Sequence, residues 1–219
     1  MFKLYYSPGA CSLGPHIVLE EIGIPYEKEI VKAGAGTQTE AWRSQNPKGR
    51  VPALLGVPGR IGGADDLLTE ANAIMVFLAR SYPEAQLLPS EPAREARVIE
   101  WLNYLSSGVH TSVYARVRRP GRFLDDAALF PQLQAKGRAD LAKEFAYIDS
   151  LLGDGRDWAV PGSYTLADIY LLVFYNFGYA PGFDMRREFP AWAKHAEKLV
   201  ARPAVARTLA DEGLKARLP

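Results

Sequence analysis

The chain has 219 residues, 48% of them hydrophobic and 23% charged, which suits one large or two small folded domains and excludes a disordered chain. Its 26 Lys and Arg against 25 Asp and Glu leave a formal net charge of +1, which gives no electrostatic reason to expect nucleic acid or a membrane surface as partner. The single cysteine, Cys11, excludes an internal disulfide and a cysteine-cluster metal site, and the start carries no apolar leader, so a cytoplasmic protein is expected.

Residues 2–6 are predicted as a strand that stops at Ser7-Pro8-Gly9. Ser12 is placed to cap the next helix, Pro15 falls in its first turn, and Gly23 closes it in the left-handed conformation. Residues 26–31 read as a second strand, parallel to the first through a right-handed crossover. Residues 51–55 and 66–68 are short strands joined into a hairpin by the Gly/Pro-rich stretch 56–64, and 71–80 is a helix. The order βαβ, then ββα, is thioredoxin-like. Pro83, Pro89 and Pro92 mark a linker.

Beyond the linker the pattern is helical throughout. Val98, Leu102, Leu105 and Val109 form one stripe, which Pro120 ends, and Leu141, Phe145, Ile148 and Leu152 form a second. Thr165 and Asp168 have capping-box spacing, with Tyr164 and Ile169 at the positions of a hydrophobic staple. The helix that follows is apolar nearly all round and belongs in the core. Two short helices near 191–200 and 204–212 complete the chain. The expected organisation is an α/β thioredoxin-like domain over 1–82, a linker over 83–92 and an all-α domain over 93–219.

Cys11 is the sharpest chemical signal. It lies between a strand and a helix start, where free N–H groups and the helix dipole favour the thiolate. Gly14 stands where a Cys-x-x-Cys pair would have its second thiol, so a mixed disulfide at Cys11 would need an external thiol such as glutathione to resolve it. The residues alone also allow Cys11 to be a small packed apolar side chain.

Tyr5-Tyr6-Ser7-Pro8-Gly9-Ala10-Cys11-Ser12-Leu13 with Pro15-His16-Ile17 resembles the N-terminal signature of bacterial glutathione transferases of the cysteine-containing beta class. Asn46-Pro47-Lys48-Gly49-Arg50-Val51-Pro52 and Leu68-Thr69-Glu70-Ala71 with Ala73-Ile74 resemble two further segments of that family. Ser106-Ser107-Gly108-Val109-His110 and Leu166-Ala167-Asp168-Ile169-Tyr170 resemble two more, so the likeness runs in order through the whole chain.

The resemblance implies glutathione as co-substrate, no metal, and a homodimer that conjugates small hydrophobic electrophiles in detoxification. Cys11, Lys48, Arg50, Val51, Pro52, Glu70 and Ala71 would contact glutathione. A cis bond before Pro52 would leave the Val51 backbone free to pair with the extended ligand, as an added strand does. Glu70 would meet the γ-glutamyl ammonium and the Ala71 N–H its carboxylate. Cys11 and His110 would carry the chemistry, with Ser12 an alternative activating hydroxyl and Tyr6 a candidate donor.

An apolar second-substrate pocket between domains is expected to use His110, Tyr114, Arg118, Tyr170 and Phe174, with Phe177 beside them. A lone helix histidine such as His110 is otherwise a surface or core residue. The run Arg116-Val117-Arg118-Arg119 reads either as a solvated helix face or as a selector of anionic substrates. Ala71, often Ser in the family, Gly108, often an acid, and the loop Ala33-Gly34-Ala35-Gly36, which lacks a frequent lysine, depart from the pattern. Lys48 and Gln45 are candidates to replace that lysine. Two rival functions fit the same likeness: a non-enzymatic regulatory or scaffold protein of this fold, and a glutathione-dependent dehalogenase or ether-cleaving enzyme.

Overall fold

The computed structural model describes residues 1–59 and 63–214. Contacts group the chain into two units, one of Met1–Leu88 with the segment from Leu199, the other Pro89–Lys198.

The first unit is built on one mixed sheet. Its strands are β1 (Phe2–Tyr6), β2 (Tyr26–Ile30), β3 (Ala53–Leu55) and β4 (Leu67–Thr69), in the order β2-β1-β3-β4. β2 runs parallel to β1, with Phe2 opposite Tyr26, and β3 runs antiparallel to β1, with Leu4 opposite Leu54. β3 and β4 form the expected hairpin. Residues 60–62 of its connection lie outside the described residues.

Helix α1 (Leu13–Ile22) buries Leu13, Ile17 and Val18 and ends at Gly23, whose φ of 77° is the left-handed turn expected there. Two elements between β2 and β3 went unread in the sequence. A 3-10 turn over Gly36–Gln38 leads into α2 (Glu40–Gln45), where the Thr39 hydroxyl accepts from the Trp42 N–H. Trp42 packs with Tyr5, Val31, Val51, Ala53 and Leu67, which explains an otherwise isolated tryptophan. Helix α3 (Ala71–Ser81) adds buried Ile74, Met75 and Leu78.

The second unit is helical. Helix α4 (Pro92–Asn103) is capped by the Glu91 carboxylate, which accepts from the N–H groups of Ala93 and Arg94. It continues without a break into a π-helical run, Tyr104–Tyr114, and then α5 (Ala115–Arg118). Val98, Leu102, Leu105 and Val109 are all buried, as their spacing predicts. Helix α6 (Phe130–Leu152) buries the second stripe, Leu141, Phe145, Ile148 and Leu152. Every residue of α7 (Leu166–Phe177) is buried, and its capping box is formed, with the Thr165 N–H donating to Asp168 Oδ2 at 2.8 Å. The short α8 (Met185–Glu188) and α9 (Pro190–Val200) follow.

The last helix, α10 (Pro203–Asp211), belongs to the first unit and packs on α1. It is tied to α1 by ion pairs from Arg202, at its N-terminus, to Glu21 at 2.7 Å and from Arg207, in its middle, to Glu20 at 3.0 Å. The division 1–82, 83–92, 93–219 follows chain order, whereas contact grouping returns this final segment to the sheet domain. No described helix is long and apolar enough to cross a membrane.

Candidate active site

The turn between β1 and α1 carries Cys11. Ala10 N–H donates to the Ser7 carbonyl at 3.0 Å, and Gly9 adopts a φ of 71°, which a side chain would resist. The Cys11 thiol is partly exposed and donates to the Val51 carbonyl at 3.4 Å. That contact joins two residues from separate sequence motifs and uses the protonated form of the thiol. The peptide bond between Val51 and Pro52 is cis, as expected.

Ser12 does not act as the cap predicted for it. Its backbone is already helical (φ −62°, ψ −17°), and its side chain makes no capping bond. The hydroxyl instead donates to the Ser7 carbonyl at 3.0 Å and accepts from the Ser7 N–H at 3.1 Å. Ser12 is fully buried, so both bonds stiffen the turn before Cys11. Tyr6 is also buried, its ring 5.1 Å from His16. Burial, aided by the Asp211 charge, raises its phenol above the ordinary value.

The Asn-Pro-Lys-Gly-Arg segment forms a tight turn around Asn46. The buried Asn46 amide donates to the Arg50 carbonyl at 2.9 Å and its side-chain oxygen accepts from Lys48 N–H at 3.2 Å. Gly49 has a φ of 59°, and a Cβ there would stand 3.0 Å from the Thr37 carbonyl. The Arg50 and Gln45 side chains are exposed.

Glu70 caps α3 with a φ of 73°, a left-handed value unusual outside glycine and of the kind that gathers at functional sites. Its carboxylate meets the Lys48 ammonium at 2.7 Å, and Lys48 also donates to the Thr69 hydroxyl at 2.8 Å. Lys48 therefore sits where an ammonium group is stabilised. Ala71, just inside the helix, is buried.

Glu212 is a contributor that the sequence did not reveal. Its carboxylate accepts from the Gly9 N–H at 2.8 Å through one oxygen and lies 2.7 Å from His16 Nδ1 through the other. The side chain is fully buried, so α10 holds the turn that carries Cys11. Two hundred residues separate these partners, and no local pattern announces them.

In the second unit His110 lies within the π-helical run. Its ring centroid is 5.8 Å from Tyr114, 5.8 Å from Phe174 and 5.4 Å from Phe177. Tyr114 stacks on Phe177 at 4.7 Å, and Tyr170 meets Phe174 edge-on at 5.0 Å. Four of the five predicted pocket residues thus form one aromatic cluster, with Arg118 exposed at its edge. Tyr170, Phe174 and Phe177 are buried, whereas His110 and Tyr114 reach the surface.

A thioredoxin-like sheet domain with a cysteine just before its first helix, a cis-proline whose preceding carbonyl meets that thiol, and a helical second unit define a two-unit, thioredoxin-like class with a candidate thiol site. Comparison with known proteins gives the family. The glutathione S-transferase N-terminal domain matches residues 1–80 and the glutathione S-transferase C-terminal domain matches residues 128–203, so the chain belongs to the glutathione S-transferase family.

Glutathione S-transferase GstA of Escherichia coli O157:H7 is 34% identical, over 97% of this chain and 100% of the relative. A glutathione transferase homolog from Sulfitobacter, solved with bound glutathione, shares 29% identity. It superposes with a TM-score of 0.86 over 98% of this chain and 99% of its own. A bacterial beta class glutathione S-transferase from Sphingomonas chungbukensis shares 28% identity with a TM-score of 0.79, over 97% of this chain and 99% of its own.

Proposed function

We propose that the chain is a glutathione transferase that conjugates glutathione to small electrophiles, working as a cytoplasmic homodimer. Residues 1–82 would bind glutathione, 83–92 link, and 93–219 take the second substrate. The observation that carries this reading is the Cys11 thiol on the Val51 carbonyl, 3.4 Å away beside the cis-proline, in a chain of this family.

Glutathione would lie along Val51 as an added strand, its γ-glutamyl ammonium on Glu70 and its carboxylate on the Ala71 N–H at the start of α3. The ligand ammonium then takes the place Lys48 holds now, and Lys48 is freed toward the ligand's carboxylates. In conjugation the glutathione thiol loses its proton to solvent or to His110. The sulfur attacks the electrophilic carbon, a C–S bond forms, and the leaving group departs with its electron pair.

A second activity has its own support in the partial exposure of the Cys11 thiol. The Cys11 thiolate attacks one sulfur of a glutathione disulfide, forming a protein–glutathione disulfide and releasing one glutathione thiolate. A second glutathione resolves the adduct and restores Cys11. Ser12 is poorly suited to either task, since both sides of its hydroxyl are engaged by Ser7.

Retention on immobilised glutathione, followed by turnover of an aryl halide, tests the reading. Binding without turnover of any electrophile favours a regulatory protein of this fold, and halide release that oxidises two glutathione thiols to one glutathione disulfide, with hydrogen replacing the halogen, favours reductive dehalogenation. Failure to bind glutathione at all would overturn the proposal.

A further inference from the structure

The reactions above leave unused the basic run Arg116-Val117-Arg118-Arg119 and the partly exposed Tyr114 ring beside it. His110, Tyr114 and Arg118 recur every four residues along the continuous helix that passes from the π-helical run into α5, so they share one face. Behind them the buried Phe174 and Phe177 form a firm wall, with Tyr114 stacked on Phe177 at an interplanar angle of 11°. The partly exposed His110 and Tyr114 rings, tilted 42° to one another, leave aromatic surface for a ligand.

The three guanidinium groups of the run have different surroundings. Arg116 is neutralised by Asp140 at 3.0 Å. Arg118 and Arg119 are exposed, and neither has a carboxylate partner among the described residues. Burial raises the Tyr114 phenol, and the positive charges of Arg118 and Arg119 act against that rise. An exposed planar cation about one helical turn from an aromatic cluster suits a ligand with a ring and a planar anionic group.

We propose that this face selects aromatic electrophiles that carry a carboxylate, the ring resting on His110 and Tyr114 and the carboxylate on Arg118, with Arg119 adding to the field. The inference rests on the transferase reading and names its substrate class. For an aryl chloride the glutathione sulfur bonds to the ring carbon, chloride leaves with the C–Cl electron pair, and the thiol proton passes to buffer. The carboxylate is unchanged.

The test compares a chlorodinitrobenzoate with the uncharged amide of the same ring, measuring kcat/KM for each with glutathione and dividing by each ring's uncatalysed rate, because the amide activates the ring more than the carboxylate does. The parent protein should prefer the benzoate, and Arg118→Gln should lower the benzoate-to-amide ratio about tenfold, as loss of one charge-assisted contact does. Raising the salt concentration should shrink the parent's ratio as the charges are screened. Arg116→Gln, which removes a charge already paired with Asp140, should leave the ratio where it was. A ratio unmoved by Arg118→Gln, or a parent that favours the amide, overturns the selection and leaves the run as a solvated helix face. If the parent turns over neither ring, the transferase reading itself fails.

Discussion

Cys11 and Ser12 are adjacent, yet their surroundings separate them. The thiol is partly exposed and donates to the Val51 carbonyl, whereas the hydroxyl is sealed in the turn. Cys11→Ala should therefore abolish exchange with oxidised glutathione, read as loss of a dithiothreitol-reversible mass increase, while conjugation persists because the transferred thiol belongs to glutathione. Survival of exchange in that variant would make Cys11 a packed residue only. Glu70→Ala should weaken glutathione binding about tenfold in a calorimetric titration, the low end for a charge-assisted contact, because the carboxylate is 59% exposed. Unchanged affinity in a folded variant would place the γ-glutamyl end elsewhere. Both residues were legible in the sequence because each follows a short strand at a helix start. Lys48 was legible as a candidate glutathione contact, but not its pairing with Glu70, which depends on how the hairpin brings residues 48 and 70 together. Glu212 was not legible at all.

Among the elements, the two long apolar stripes, α7 and its capping box were readable because their signals are local and periodic. The π-helical run was not, because Val98, Leu102, Leu105 and Val109 keep an ordinary helical spacing while the backbone widens around them. Side chains mark the wider turn: the hydroxyls of Thr111 and Ser112 donate to carbonyls five residues back, at 2.8 and 2.6 Å. Helix α2 was missed because six residues are too few to establish a period. The start of α7 shows how much one side chain can hold. The fully buried Asp168 carboxylate accepts from the Ala159 N–H at 2.7 Å and the Thr165 N–H at 2.8 Å, and meets His195 Nε2 at 2.8 Å. Asp168→Ala leaves those buried groups unpaired and should cost about 3–5 kcal/mol, seen as a lower urea midpoint. A change below about 1 kcal/mol would show that water or a shifted side chain replaces the carboxylate.

At the scale of the molecule, the two-part character of the chain follows from a change in hydrophobic period, but the return of its last segment to the first unit does not. Contacts between residues near 20 and near 207 leave no trace in either stretch alone. That segment contributes more than a cover for α1. It buries Val205 and Leu209, and its Glu212 joins the Gly9 N–H to His16. It also supplies Arg207 to Glu20, whose carboxyl burial would raise, but hydrogen bonds from Tyr26 and Arg207 outweigh that and hold it below the ordinary range. A lowered carboxyl stabilises the fold fully above its unfolded pKa, near 4.3, and that contribution is lost as pH falls through the lower folded value. Burial of Val205 and Leu209 is worth about 1.5–3 kcal/mol each. Loss of a fully buried carboxylate from its partners costs about 3–5 kcal/mol more. Together these match much of the roughly 5–15 kcal/mol that keeps a domain folded. A chain ending at Arg202 should therefore lose cooperative unfolding of the sheet domain and its retention on immobilised glutathione, whereas Glu212→Ala should melt earlier but keep a cooperative transition. Thermal unfolding followed by circular dichroism distinguishes the two. A chain ending at Arg202 that melts at the parent's temperature would show that the first 88 residues stabilise the Cys11 turn without α10.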